Sequence, residues 1–357
     1  MTTLTSPRPQ TKPLTIGVIG DGFMKPEQFR TALAARLSDT PTEFRQMELD
    51  WPLKLKSTKH DPSLPVAEFV GRPEDYFSFL EGLDILVTHL APITADSLKH
   101  APDLRLIAVS RGGPVNIEMP AARARGITVV NTPGRNASAV AEFTVASLLA
   151  ETRNLVRGHM AVRNGSFSRD YYHYDNAGPE LCELTVGIVG FGDIGTRVAK
   201  LLQPFGCGIL IYDPFKELTP EEQAAGLRKL PLDDLMAQAD VVTLHPRVTP
   251  ETMGMISRER IAAMKPGGYI VNTTRGQVLD YDALYDALRS GHLRGAALDT
   301  FTPEPPPADM PLLQLPNVTL SPHIAGASRF SATKAATMIA EDVARFLAGD
   351  RPHHLCT

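Results

Sequence analysis

Three stretches of this 357-residue chain carry side chains suited to proton transfer on an acidic substrate: "NTTRG", "DTFTPEPPP" and "SPHIAGAS". In the first, Arg275 is followed by Gly276, which leaves the guanidinium unobstructed. The planar fork of an arginine donates two parallel hydrogen bonds and so suits a carboxylate. A surface ion pair is its more usual fate. Glu304 stands inside the proline-rich run of the second stretch. Prolines fix φ, so this carboxylate is aimed, although by itself it reads as a solvated loop acid. His323 follows Pro322 in the third, with Gly326 opening the next helix. A lone histidine is more often structural than catalytic. Paired with a carboxylate it becomes a proton carrier, because the carboxylate fixes the tautomer and favours the imidazolium. Each of these residues lies just beyond an apolar run that reads as a strand, and Asp299 ends the run that precedes Glu304. Open α/β sheets bind ligands at that edge.

A second kind of chemistry is written in "LTVGIVGFGDIG". A dinucleotide turn needs one glycine for the turn, one to admit the pyrophosphate and one for close helix packing. Gly190, Gly192 and Gly195 meet that need, and Asp213 ends the following strand. A carboxylate there can accept both ribose hydroxyls and would repel a ribose phosphate. No arginine follows it directly in "YDPFK", which favours NAD over NADP. An earlier stretch, "LTIGVIGDGF", reads almost the same. Its register is Gly20, Gly22 and then Lys25, followed by Pro26. Lys25 does not suit close helix packing, so the first copy reads as a related fold without cofactor.

The elements that must position these groups alternate. "TIGVIG", "ILVT", "LIAV", "ITVV", "TVGIVG", "GILIY", "VVTL", "YIVN", "AALD" and "VTLS" read as buried strands with helices between them. Their near-continuous apolar character predicts parallel sheets in an α/β chain. "NASAVAEFTVASLLAETRNLVRGHMAVRNG" predicts one long helix, with Val140, Ala141, Thr144, Val145, Leu148, Leu149, Leu155 and Val156 on one stripe. Asn136 or Ser138 is placed to cap it. The stretch "SFSRDYYHYDNAGPEL" predicts a loop.

The length suggests about two domains. A net charge of -4 and the absence of a basic run speak against nucleic acid. No apolar run approaches the ~20 residues of a membrane span. "MTTLTSPRPQTKP" lacks the apolar core of a signal peptide and reads as a disordered lead. Cys182, Cys207 and Cys356 form neither a disulfide framework nor a zinc pattern, and reduced thiols in a cytoplasm are expected. No cluster has metal-ligand spacing, and His353 and His354 read as a frayed tail.

In order and spacing, "GFGDIG", "NTTRG", "LDTFTPEPPPADMPLLQLPNV" and "SPHIAGAS" resemble the D-isomer-specific 2-hydroxyacid dehydrogenases, and "NTPGRNASAVAEFTVASLLAETRN" resembles that family's linker helix. The resemblance runs from about Leu83 to the C-terminus. It implies two Rossmann-like or flavodoxin-like α/β domains with parallel sheets. A substrate domain, residues 1–135 plus 328–357, would receive an inserted NAD-binding domain, residues 136–327. It implies catalytic roles for Arg275, Glu304 and His323, with Arg275 and His323 also beside the cofactor. Asp299 would face the nicotinamide. Asp193, Ile194, Pro246, Thr249, Thr274 and Gly326 would be further cofactor contacts. The implied reaction moves a hydride between nicotinamide and C2 of a D-2-hydroxy or 2-oxo acid. The implied assembly is a homodimer built on the long helix and the tyrosine-rich loop.

The family's substrate-carboxylate loop falls on "SRGGPVNIE", where Gly112 and Gly113 offer backbone amides. This loop departs from the pattern, with Val115 where an aspartate often stands. Arg111 adds a cation that fits a phosphate, a second carboxylate or a hydroxylated tail, and equally an ion pair with a neighbouring acid. Two other readings use the same fold. NAD-sensing corepressor-like proteins tend to carry long disordered tails, whereas this chain ends soon after its last predicted helix. Formate dehydrogenases of the superfamily have glutamine where Glu304 stands. With so short a C-terminus, a regulatory amino-acid-binding domain is not expected.

Overall fold

The computed structural model describes residues 12–51 and 64–356; residues 1–11 of the predicted disordered lead lie outside them. The chain packs as two compact units, Met1–Arg135 with Ser328–Thr357, and Asn136–Ala327.

The first unit holds five parallel strands: β1 (Leu14–Asp21), β2 (Thr42–Leu49), β3 (Ile85–Thr88), β4 (Leu106–Val109) and β5 (Thr128–Val130). Their order is β2-β1-β3-β4-β5, so the connection reverses direction between β1 and β3. On one face, Phe29 and Leu33 of the helix Pro26–Arg36 and Ala335, Ile339 and Val343 of the helix Arg329–Leu347 cover Ile16, Val18, Ile85 and Val87. On the other, Leu80, Leu83, Leu98 and Ala122 cover Ile19, Leu86 and Ile107. Each large apolar side chain among these, fully buried, contributes about 1.5–3 kcal/mol.

The second unit holds seven parallel strands: β6 (Thr185–Val189), β7 (Gly208–Tyr212), β8 (Leu227–Lys229), β9 (Val241–Leu244), β10 (Gly268–Asn272), β11 (Leu293–Leu298) and β12 (Val318–Leu320). Their order is β12-β11-β10-β9-β6-β7-β8, the doubly wound pattern with one strand added. Helices lie on both faces, burying Leu148, Val198 and Leu202 on one side and Leu235, Ile261 and Leu284 on the other.

All ten predicted runs are strands. β2 and β8 were not predicted, and both lie at a sheet edge. The β2 sequence "TEFRQMEL" alternates in exposure, because an edge strand meets water and loses the continuous apolar run.

The predicted long helix is two helices, Ala137–Thr152 and Leu155–Arg163. The break is at Asn154, whose φ of 56° is left-handed. There its Nδ2 donates to Asn176 O (3.0 Å) and its Oδ1 accepts from Arg157 Nη1 (2.5 Å). The predicted stripe therefore ends at Leu149, and Leu155 is exposed. Asn136 is the N-cap residue but its side chain makes no cap hydrogen bond. Gly326 lies in a turn, and the following helix starts at Arg329 with Ser328 as its cap.

The tail is not frayed. Asp342, fully buried, accepts from His353 N (2.6 Å) and pairs with His354 Nδ1 (2.8 Å). Leu355 bridges Val130, and Cys356 N donates to Val129 O (2.8 Å). Cys182, Cys207 and Cys356 are free. Among the described residues no helix is long and apolar enough to cross a membrane, and no group of His, Cys, Asp or Glu is placed to hold a metal ion.

Candidate active site

In the second unit, every predicted site residue lies at or beyond the carboxyl end of a parallel strand. Asn272, the last residue of β10, shapes the turn that follows. Its Oδ1 accepts from Thr274 N and its Nδ2 donates to Arg275 O, each at 3.0 Å. Thr274 Oγ1 donates to Pro246 O (2.8 Å), tying this turn to the one after β9. Arg275 is exposed, and its guanidinium bonds only Thr274 O (2.8 Å) among the described residues. It therefore has no acidic partner there and escapes the surface-pair alternative. Gly276 has a further task. A Cβ on it would lie 2.2 Å from the Phe301 carbonyl. The glycine lets the loop carrying Glu304 lie against the loop carrying Arg275.

Glu304 Oε1 is 2.5 Å from His323 Nδ1, and its Oε2 accepts from Phe301 N (3.4 Å). Burial pushes this carboxyl up. The hydrogen bond and charge of His323, the Phe301 amide and the charge of Arg275 outweigh burial and hold it below its ordinary value. His323 has a left-handed φ of 55°, a conformation few non-glycine residues adopt. Asp299, 1% exposed, holds the segment in place. Its Oδ1 accepts from Ser321 Oγ (2.6 Å) and Ile324 N (2.9 Å), and its Oδ2 from Ala325 N (2.9 Å). With Nδ1 engaged by Glu304, the outer nitrogen of the imidazole is the one left for a substrate.

The two glycine stretches differ in the structure for physical reasons. In the second, Gly190 has φ 92°, and a Cβ there would strike the His245 carbonyl carbon at 2.8 Å. A Cβ on Gly195 would lie 2.1 Å from Gly190 O. Nothing lies within 4 Å of a Cβ on Gly192, which caps the helix Asp193–Leu202. The first amides of that helix, at Asp193 and Ile194, have no intrahelical partner and suit a diphosphate. The Asp193 carboxylate turns back to Arg197 (2.9 Å). These features fit a dinucleotide.

In the first stretch, Asp21 Oδ1 accepts from Phe23 N and Met24 N, each at 2.9 Å. The chain itself supplies the anion for that turn.

Asp213 is more occupied than predicted. Its Oδ1 accepts from Phe215 N (2.8 Å) and Lys216 N (3.0 Å), and its Oδ2 from Phe191 N (2.7 Å). A ribose is left the remaining lone pair of Oδ2 rather than both oxygens. Lys216, the nearby cation, is engaged by Thr196 Oγ1 (3.0 Å) and the Phe191 ring (4.5 Å). Thr249 N donates to Thr252 Oγ1 (2.8 Å) and shapes the turn after β9. A Cβ on Gly326 would lie 2.4 Å from Asn136 Nδ2. Sequence reasoning passed over His245 in the same turn. Its Nε2 is 3.0 Å from Thr243 Oγ1, while its Nδ1 is buried without a partner among the described residues. Burial pulls this imidazole down to about 3.

In the first unit, nothing lies within 4 Å of a Cβ on Gly112 or Gly113, and neither amide has a partner among the described residues. Of the two readings of Arg111, the ion pair is present. Its Nη2 meets the Glu68 carboxylate, and its Nη1 donates to Glu68 O (2.7 Å).

This fold and these strand ends define an NAD-dependent oxidoreductase of the α/β class. Residues 145–325 match the family described as D-isomer specific 2-hydroxyacid dehydrogenase, NAD binding domain. The chain is 40% identical over 273 residues to a glyoxylate reductase of Korarchaeum cryptofilum, covering 76% of this chain and 82% of that one. It is 39% identical over 267 residues to a D-3-phosphoglycerate dehydrogenase of Mycobacterium tuberculosis, covering 74% of this chain and 49% of that one. The crystal structure of the TT0316 protein from Thermus thermophilus superposes with a TM-score of 0.77 at 32% identity, covering 96% of this chain and 100% of that one. The chain belongs to the D-isomer specific 2-hydroxyacid dehydrogenase family, whose members act on small 2-hydroxy and 2-oxo acids.

Proposed function

We propose that this protein reduces a small 2-oxo acid to the D-2-hydroxy acid, with Arg275, Glu304 and His323 as the catalytic groups. The observation that carries the reading is the 2.5 Å contact of His323 with Glu304, close enough to Arg275 for its charge to act on the carboxyl. Arg275 grips the substrate carboxylate and polarises the C2 oxygen. The Gly112 and Gly113 amides of the first unit are assigned to substrate binding. His323 donates a proton from its outer nitrogen to the C2 oxygen, and takes it back in the oxidative direction. Glu304 orients the ring through Nδ1 and balances the imidazolium charge. Asp299 is a positioning residue for the His323 segment and is further assigned to the nicotinamide side.

Gly190, Gly192, Asp193, Ile194, Gly195, Asp213, Pro246, Thr249, Thr274 and Gly326 are assigned to holding NAD. When bound, the nicotinamide supplies the hydride acceptor or donor. The unit Met1–Arg135 with Ser328–Thr357 is assigned to substrate, and Asn136–Ala327 to NAD. A homodimer is also proposed, supported by the exposed apolar side chains Leu155, Phe167, Tyr172 and Tyr174. The three free thiols support a reducing, cytoplasmic setting. The test is NADH oxidation against a panel of 2-oxo acids beginning with glyoxylate and hydroxypyruvate. Turnover that yields the D-hydroxy acid supports the reading. Tight NADH binding with no turnover of any 2-oxo acid overturns it.

A further inference from the structure

We infer that Tyr281 is a positioning residue for the Glu304–His323 pair, bracing the loop that carries Glu304 against the turn that carries Arg275. The inference deepens the reading of Arg275, Glu304 and His323 as the catalytic groups and rests on it. The chain leaves β10 at Asn272, passes Arg275, makes the short helical turn Gly276–Val278 and enters the helix Tyr281–Arg289 at its first residue. Two contacts fix Tyr281 independently of the site. Asp280 caps the helix by accepting from Ala283 N (2.9 Å), and the tyrosine ring lies in the same apolar cluster as Val278, Leu298 and Leu312.

Three contacts run from this anchored segment to the loop after β11. The Tyr281 hydroxyl donates to Thr300 O. Its ring meets that of Phe301 in a tilted pair, with centroids 6.4 Å apart. Gly276 lies against the Phe301 carbonyl. Phe301 in turn donates its amide to Glu304 Oε2 (3.4 Å). Asp299, one residue before Thr300, accepts from the Ile324 and Ala325 amides that follow His323. Tyr281 thus holds the two residues that lie between the anchor of His323 and the amide that bonds Glu304. Its oxygen also interacts with the side chain of Asn272, which shapes the Arg275 turn. Burial pushes this phenol up, the Asn272 and Thr300 bonds oppose the rise, and the charge of Glu304 adds to it. The phenol therefore stays a donor at neutral pH. Tyr281 is 6% exposed, so it acts through its neighbours and not on the substrate. Reacting groups keep a productive geometry only when the residues behind them are themselves locked. The left-handed backbone of His323 adds to that need, because such a conformation persists only where its surroundings impose it.

The test is Tyr281→Phe, which removes one oxygen and keeps the ring. NADH oxidation with glyoxylate and hydroxypyruvate is measured for this variant alone and in a Glu304→Gln background. The expected result is a kcat at least about tenfold lower, with KM for the 2-oxo acid and NADH affinity within about twofold, because a misplaced proton donor slows the chemical step. In the Glu304→Gln background the same change should cost less than about twofold, since residues that act as one unit do not add. A tyrosine with only a structural role would lower the melting temperature in both backgrounds and leave kcat alone. Unchanged kcat, a loss confined to KM, or equal losses in the two backgrounds overturns the inference. Should Tyr281→Phe melt below the assay temperature, Phe301→Leu carries the same expectation and the same refutation, because it keeps the hydroxyl and removes the ring that Tyr281 braces. If no 2-oxo acid is turned over at all, the parent reading fails and NMR of histidine-labelled protein decides the role of Tyr281. The Cε1–H resonance of His323, identified by its absence in His323→Asn, should shift or broaden in Tyr281→Phe while those of the other histidines stay in place. A His323 resonance superimposable on that of the wild-type protein overturns the inference.

Discussion

Arg275 and Arg135 are both arginines without an acidic hydrogen-bond partner among the described residues, yet only Arg275 was legible in the sequence. A strand-like run, a cation and a glycine are local features. The missing partner of Arg135 is a property of the folded chain, and no local pattern signals it. Glu68, the partner of Arg111, lies 43 residues away and was equally hidden. At Arg275, replacement by alanine should lower kcat with any 2-oxo acid by about 100- to 1,000-fold, as loss of an oxyanion-stabilising donor does. NADH affinity should survive, and near-normal turnover would reject the assignment. His323→Asn should lower kcat by about 100- to 10,000-fold and remove the ionising limb of the pH–rate profile.

Glu304 also allows a stability measurement. Its carboxyl titrates lower in the fold than in the unfolded chain, so between the two values the folded state binds fewer protons. The stabilisation is therefore complete above the ordinary carboxylate range and disappears as pH falls through the folded value. Glu304→Gln should lower the melting temperature at neutral pH and leave it unchanged in strong acid. The difference should be under about 1 kcal/mol, because the pair is partly open to water.

At the scale of elements, the core strands announced themselves because burial on both faces makes them apolar throughout. β2 and β8 did not, because these two edge strands are largely polar and meet water, whereas the edge strands β5 and β12 keep short apolar runs. The interrupted helix was hidden for another reason. Apolar periodicity continues across Asn154, and the break is made by tertiary hydrogen bonds to Asn176 and Arg157. The glycine turns were legible in kind, and their individual tasks emerge only from the neighbours. Gly195→Ala would drive a methyl group into Gly190 O, a backbone atom with no room to retreat. Overpacking of this sort costs about 1–3 kcal/mol. The variant should melt earlier and bind NADH at least about tenfold more weakly. Unchanged affinity measured by NADH fluorescence would mean that this turn does not hold the dinucleotide.

At the scale of the whole molecule, the two units differ in how the chain builds them. Asn136–Ala327 is one continuous segment with its own seven-stranded sheet and core clusters. Expressed alone, this segment should fold cooperatively and bind NADH, yet turn over no 2-oxo acid. A segment that stays unfolded would show that its core is insufficient without the rest of the chain. The first unit is discontinuous. The helix Arg329–Leu347 packs on the helix Pro26–Arg36, and the tail pairs with β5 and anchors to Asp342. Removing residues 351–357 should therefore destabilise this unit while leaving NADH binding intact, a difference that calorimetry with and without NADH would resolve.

The shared ownership of that first core also dictates an order of events on the ribosome. Phe29 and Leu33 are synthesised early, but the residues that complete their surroundings, Ala335 to Val343, emerge some three hundred positions later. Until then the oldest part of the nascent chain must wait with its apolar face uncovered, while the younger middle segment is already free to finish. Domains generally mature from the N-terminus onward during translation; here that order is inverted. Force-sensing arrest-peptide fusions should record the Asn136–Ala327 event first and a second event only after Leu347 has left the exit tunnel.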